Sequence, residues 1–274
     1  MAIEITSILN EKYLAVNKGF SKQSEKYDEE DAANPILQIW RAQVYDYVDS
    51  LIKPSSSILE LNSGTGIDAV RFIKQGHKVH CIELSDGMVQ KIKKKIELNN
   101  LESSLTVQQL SYECLEEVTG KYDYVFSNFG GLNCSNNLTK ITQHFHRLLK
   151  PGGIITWVIM PPICLWEISW IFKGHFKNGL RRFHKNGVMA HLEGEYFMTY
   201  YYSLNDLKKA FGKSFTLLKC EGLGALSPPP SANNFPIKHP KIYRALAWLD
   251  KQLRNHFPFN RWADHIVASF QMKE

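Results

Sequence analysis

The stretch "ILELNSGTGIDA", residues 58–69, runs an apolar segment into Glu60, then Asn62-Ser63-Gly64-Thr65-Gly66, then a helical pattern. Glycines let a backbone approach a ligand closely, and the helix that follows offers unpaired N–H groups at its start. Seventeen residues past Gly66, at the end of the next apolar run, stands a second acid, Glu83. An acid there is placed to accept hydrogen bonds from ribose hydroxyls. The chemistry on offer is nucleotide-cofactor binding.

Which nucleotide is less obvious. Gly64-x-Gly66-x-x-Ala69 satisfies the relaxed dinucleotide fingerprint, which keeps an NAD(P)-binding oxidoreductase open as an alternative. Glu60 argues the other way. A carboxylate at the strand end repels a pyrophosphate and suits a cationic ligand, such as the ammonium and sulfonium of S-adenosylmethionine. Asn62 stands where a glycine would be easier, and Asn tolerates left-handed backbone better than most residues. The side chain of Asn62 could reach the methionine part of such a donor, and Asn62→Gly is expected to preserve donor binding.

The elements that must position these residues follow an alternating pattern. Asn34-Pro35 opens a helix through "ILQIWRAQVYDYVD", whose apolar residues recur at helical spacing. Strands are expected at "SSILELN", "KVHCIEL", "LTVQQL", "YDYVFSN" and "IITWVIM". Between them lie the helices "GIDAVRFIKQG", "SDGMVQKIKKKIELNN" and "SNNLTKITQHFHRLLK". This alternation specifies an α/β fold with a doubly wound, mostly parallel sheet.

Residues 1–34 are polar and read as irregular or weakly helical. Beyond residue 160 the rhythm breaks. An apolar helix, a hairpin at "GVMAHLEGEYFMTYYYS", the helix "LNDLKKAFG" and strands at 214–223 and 263–272 are expected, with a proline-rich loop and an amphipathic helix between those strands. The organisation is thus an N-terminal helical or lid segment (1–53), a cofactor-binding core (54–160), an inserted helix and hairpin that would cover the acceptor (161–213), and two last strands with an intervening loop and helix (214–274).

Composition bounds the function. With 44% hydrophobic and 22% charged residues, the 274-residue chain resembles an ordinary soluble protein. Its 5 cysteines are scattered and odd in number, which argues for a reducing compartment and against a disulfide framework or zinc cluster. No HxxH or HExxH spacing supports a metal site. The opening "MAIEITSILNEKYLAV" lacks a basic n-region, so the expected location is cytoplasmic. Pro161-Pro162 interrupt the apolar run of residues 154–172, so a membrane span is not expected there. The net charge is +6, and no acid occurs between Glu167 and Glu193. Residues 163–185 therefore read either as a solvated basic face or as a weak contact with an anionic membrane surface. No nucleic-acid-binding module is visible.

"ILELNSGTGIDA" resembles the first motif of the class I S-adenosylmethionine-dependent methyltransferases, and "CIELSDGM" is similar to their second. "LLKPGGII" is also typical of the segment before their fifth strand. The resemblance implies a seven-stranded Rossmann-like sheet and a cofactor site at Glu60, Asn62, Ser63, Gly64, Thr65 and Gly66. It also implies that Glu83 holds ribose hydroxyls, that Leu84 and Met88 flank the adenine, and that Ser111, Tyr112 and Asn128 face the cofactor. "FSKQSEKYDEE" is similar to the lid segment of small-molecule members of the family, with Tyr27 in its conserved-tyrosine place. A small-molecule or lipid-like methyl acceptor follows by the same resemblance. "SNFGGL" lacks the signature of enzymes that methylate amino groups of DNA bases. A cofactor-binding member without catalysis is the alternative.

No spacing identifies a general base. His191, on the expected hairpin, and Tyr27 are the candidates for a catalytic role. His144 and His146 read as surface or packing residues, and Tyr196, Phe197, Tyr200, Tyr201 and Tyr202 as sheet packing or an aromatic acceptor pocket.

Overall fold

The computed structural model describes residues 11–273. Three helices come first: α1 (Glu11–Gln23), α2 (Tyr27–Ala33) and α3 (Pro35–Asp49). Asn34 caps α3 as its position before Pro35 predicts: its side-chain oxygen accepts from the N–H groups of Ile36 and Leu37, at 3.1 and 3.2 Å. Strand β1 (Ser57–Leu61), α4 (Ile67–Lys74), β2 (Lys78–Glu83), α5 (Asp86–Asn99), β3 (Leu105–Gln109) and β4 (Tyr122–Ser127) then alternate. After α6 (Leu138–Thr142) and α7 (Phe145–Leu148) comes β5 (Leu149–Ile159).

The insertion holds α8 (Leu165–Ile168), α9 (Phe176–Gly179) and the hairpin β6 (Val188–Leu192) and β7 (Glu195–Thr199). Helix α10 (Leu204–Phe211), β8 (Phe215–Leu223), α11 (Phe235–Lys238), α12 (Pro240–Leu253) and β9 (His265–Met272) complete the chain. The central sheet has seven strands in the order β3-β2-β1-β4-β5-β9-β8. The first five run parallel, while β9 is antiparallel to both β5 and β8. This is the expected doubly wound α/β fold.

Alternate residues of each strand serve opposite faces. Leu59 and Leu61 join Phe145, Trp157 and Phe211 in one apolar layer; Ile58 joins Trp40, Phe72 and Phe126 in the other. The second layer fixes α3. Gly224, at φ +67°, leaves room for the Trp40 indole: a Cβ at that position would sit 2.1 Å from Cζ2.

Three expectations are corrected. The polar segment before residue 34 forms α1 and α2, with residues 1–10 outside the described range. Local propensity hides α1 because its support comes from another helix. Asn17 accepts from the Asp86 N–H (2.9 Å) and Ser21 from the Gly87 N–H (3.0 Å), so α1 caps the start of α5. Gly87 permits the approach, since a Cβ there would lie 2.6 Å from the Ser21 carbonyl oxygen. The expected helix over 135–150 is two short pieces, and β5 begins at Leu149, before Pro151-Gly152-Gly153. There Thr142 donates to the Ala210 carbonyl, and Arg147 donates to the carbonyls of Leu115 and Val118. Tertiary bonds override the helical pattern. The expected apolar helix after Pro162 is only α8 followed by a tighter turn over Ser169–Lys173.

Gly224→Ala should lower the unfolding free energy by about 3 kcal/mol, because the new methyl group overlaps Trp40 on left-handed backbone. Urea titration followed by tryptophan fluorescence measures it, and an unchanged midpoint would remove this contact from the account of how α3 is placed.

Candidate cofactor and acceptor site

A cavity of about 380 Å³ opens at the ends of β1, β2 and β4. It falls within the range of ordinary small-molecule sites. The turn after β1 forms one wall through Asn62, Ser63, Gly64 and Thr65. No atom lies within 4 Å of where a Gly64 Cβ would project, and its φ is +55°. Glu83, Leu84 and Met88 add the second wall; Ser111, Tyr112 and Asn128 close the far side.

Glu83 is the charged centre of this end. Its two carboxylate oxygens accept from the N–H groups of Gly64 (2.8 Å) and Ser85 (2.9 Å). Burial pushes its carboxyl up to about 7, against the opposing pull of those backbone donors. Ser111 brings a hydroxyl, which accepts from the Glu113 N–H at 3.2 Å. Tyr112 donates to the Gly131 carbonyl at 3.0 Å.

Two of the expected cofactor residues do not line the cavity. Gly66 starts α4 in left-handed backbone, φ 81°, and packs against Ile92. Its contribution is the close approach of α4 to α5. Glu60 is 1% exposed and shares the face of Ile58, within 3.5 Å of the Cys81 thiol. Burial, then the nearby Asp68 carboxyl, pushes its carboxyl well above the usual range. Glu60 is therefore a buried acid off the cavity wall, not a carboxylate facing a ligand. Period-2 alternation of the strand contained this signal, since Glu60 follows Ile58 inward.

Asn62 adopts the left-handed backbone expected for it, with φ 47°. Its side chain accepts from Ser127 Oγ (2.6 Å) and donates to the Asn128 carbonyl (3.1 Å). It therefore ties the turn after β1 to the end of β4.

Several cavity residues escaped the sequence reading. Arg41 of α3 and Asp68 of α4 meet at its floor, where Arg41 donates to Asp68 Oδ1 at 2.7 Å. Arg41 also clasps Asp31 through Nε and Nη2, and Asn128 Nδ2 donates to Asp68 Oδ2 at 2.9 Å. Phe129 has φ 44°, uncommon for an aromatic residue, and the Arg41 guanidinium lies 4.9 Å from its ring centre. The acid in "GIDAV" and the aromatic in "SNFGG" were visible, but only the fold brings them to Arg41.

The cavity is also lined by Phe20 and Tyr27 from the N-terminal segment, Met160 beyond β5, and Ala190, His191, Phe197 and Thr199 of the hairpin. Both catalytic candidates, Tyr27 and His191, are thus at the cavity. Burial pushes the Tyr27 phenol up to about 12, which keeps it a proton donor at neutral pH. A second chamber of about 260 Å³ shares Val16, Cys134 and Phe197 with the first and adds Met189, Tyr196, Met198 and Tyr200. His144 sits 3.4 Å from Glu116, and His146 packs on Phe215; neither lines the cavity. Tyr202 donates to the Ser135 carbonyl (2.5 Å), and Tyr201 lies beneath Arg182.

The "Methyltransferase domain" family model matches residues 58–153. No protein of curated function matches the chain in sequence. Among solved structures, one from Listeria monocytogenes, assigned to the S-adenosylmethionine-dependent methyltransferases, is 16% identical, with TM-score 0.58 over 84% of this chain and 96% of that one. A Burkholderia thailandensis 1,6-didemethyltoxoflavin-N1-methyltransferase, solved with 1,6-didemethyltoxoflavin and S-adenosylhomocysteine bound, is 11% identical, with TM-score 0.56 over 95% and 88%. The cyclase SpnF is 13% identical, with TM-score 0.54 over 84% and 80%. At these identities the likeness is one of fold.

Asn62→Gly should cost about 1 kcal/mol of stability, two hydrogen bonds being lost while the left-handed turn becomes easier. Thermal unfolding checks this, and a gain in melting temperature would show that the two bonds contribute nothing net.

Proposed function

We propose that this chain, a class I S-adenosylmethionine-dependent methyltransferase by family match and fold, methylates an apolar, lipid-like small molecule at the hairpin end of its cavity. The observation that carries the reading is the make-up of the cavity lining, which sets Glu83 and open glycine backbone among the apolar side chains of Phe20, Met160 and Phe197.

The residues present fit the donor. Glu83 offers its remaining lone pairs to ribose hydroxyls, and Leu84, Met88 and Tyr112 supply flat apolar surface for a base. Ser111 gives that ring a hydroxyl where the family more often has an acid. Arg41, held by Asp31 and Asp68 on the cavity floor, supplies a positive charge to which an amino-acid carboxylate is drawn. When bound, S-adenosylmethionine supplies a methyl group activated by its sulfonium.

The protein's part is alignment and exclusion of water. Helix α1 and the hairpin close over the cavity from opposite chain regions, joined by Lys22 to Glu195 at 2.7 Å. For an acceptor that keeps its proton at neutral pH, His191 is the cavity group suited to take it, since Tyr27 stays protonated. The 1,6-didemethyltoxoflavin and S-adenosylhomocysteine bound by the Burkholderia neighbour are consistent with a small acceptor in this fold.

Two measurements test this. Hydroxyl donors need the ionised form of Glu83, which is lost as pH falls through about 7. Affinity for S-adenosylhomocysteine should therefore weaken about tenfold from pH 8 to pH 6 by calorimetry, and Glu83→Gln should flatten the profile. A pH-independent wild-type affinity would remove Glu83 from the donor site. Second, with methyl-tritiated donor and a cellular lipid extract, label should enter the organic phase, and His191→Gln should slow this about 100-fold. Label confined to water-soluble product would refute the apolar acceptor.

A further inference from the structure

Two segments far apart in sequence share an unusual surface. Residues 168–192 contain no acid at all, and between 222 and 273 the two acids, Asp250 and Asp264, are each only 6% exposed. Neither segment therefore shows a carboxylate to solvent. Both show large apolar side chains instead: Phe172 is 90% exposed and Phe176 61%, while Ile237 reaches 73% and Trp248 61%. Exposed lysines lie between them, Lys173 and Lys177 on the first segment, Lys238 and Lys241 on the second. The segments touch where Arg182 binds Asp264, and just before the first of them Trp166 meets Phe235, their ring centres 5.8 Å apart.

This exposure is held in place. Glu167 and Asp264 are both bound by the buried Arg182, at 2.8 and 2.5 Å, and Glu167 is also held by Arg181 at 2.6 Å. The same guanidinium occupies the space between Glu167 and Asp264, which with Cys164 form a cluster of metal-capable groups. These ion pairs fix the segment that carries Phe172 and Phe176. A merely solvated basic face would not need them.

We propose that this surface docks the protein on an anionic lipid bilayer. Aromatic side chains would enter the boundary between headgroups and acyl chains, and lysines would pair with lipid phosphates. Absence of exposed carboxylates is the charge complement that an anionic leaflet requires. No helix among the described residues is long and apolar enough to cross a membrane, so the contact lies at the surface. The first segment leaves the sheet beside Met160 and returns through Ala190, both of which line the cavity. Docking would thus set the acceptor end of the cavity close to the lipid. The inference is separable from the acceptor reading, because binding is measured without turnover.

The test is cosedimentation of the full chain with vesicles of phosphatidylcholine alone or mixed with phosphatidylglycerol, at low and high salt. Binding should favour the anionic vesicles by about tenfold at low salt and fall as salt screens the lysines. The double variant Phe172→Ser/Phe176→Ser should lose about tenfold in binding with an unchanged melting temperature. Lys173→Glu/Lys177→Glu should abolish the preference for anionic vesicles. The proposal is overturned if wild type stays in the supernatant with anionic vesicles at low salt, or if both double variants sediment as wild type does. Sedimentation velocity gives a further decisive outcome: a dimer that the Phe172→Ser/Phe176→Ser variant dissociates would make the face a protein interface instead.

Discussion

The buried guanidinium of Arg41 lies at the centre of a polar cluster that ties together distant parts of the chain. It clasps Asp31 on α2 and reaches Asp68 in the first turn of α4, at 2.7 Å in each case. Asp68 in turn accepts from Asn128 at the end of β4 and from Tyr45 of α3. One cation thus sets the mutual position of the N-terminal helices, the helix after the glycine turn, and the loop that ends β4. Removing one partner from such a buried set costs about 3–5 kcal/mol, because the others remain charged and desolvated. The cavity inherits its shape from that constraint.

The two acids that end β1 and β2 show how position decides chemistry. Glu60 and Glu83 are both nearly buried, at 1% and 8% exposure. Glu60 turns into the sheet face of Ile58 and meets a thiol, where burial and the nearby Asp68 carboxyl outweigh the pull of Cys81 and Arg41 and push its carboxyl well up. Glu83 turns toward the cavity, where two backbone N–H groups offset much of the cost of burial. It sits at the edge of ionisation near neutral pH, responsive to whatever donor it meets.

Much of this was legible in the chain because it is local. The turn after β1, the acid ending β2, and Leu84 and Met88 that follow all sit at fixed offsets from glycines and strand ends, and all but Gly66 of that turn reach the cavity. Arg41, Asp68 and Phe129 were not legible, since no spacing relates an arginine on α3 to an aromatic after β4. The helix α1 was legible only as weakly helical for the same reason: its partner for hydrogen bonding lies on α5, more than sixty residues away. Glu60 was misread for a different one. Its charge was taken at face value although a central parallel strand is covered on both faces.

That cross-helix cap has a consequence for traffic through the cavity. The first N–H groups of α5 are satisfied by Asn17 and Ser21 of α1, not only by Ser85 of their own chain neighbourhood. Phe20, on the same helix, lines the cavity. Swinging α1 aside to admit a ligand therefore strips α5 of part of its cap at the same moment. Access and fraying become a single event, and water arriving with the ligand must take over two amide protons until the helix returns.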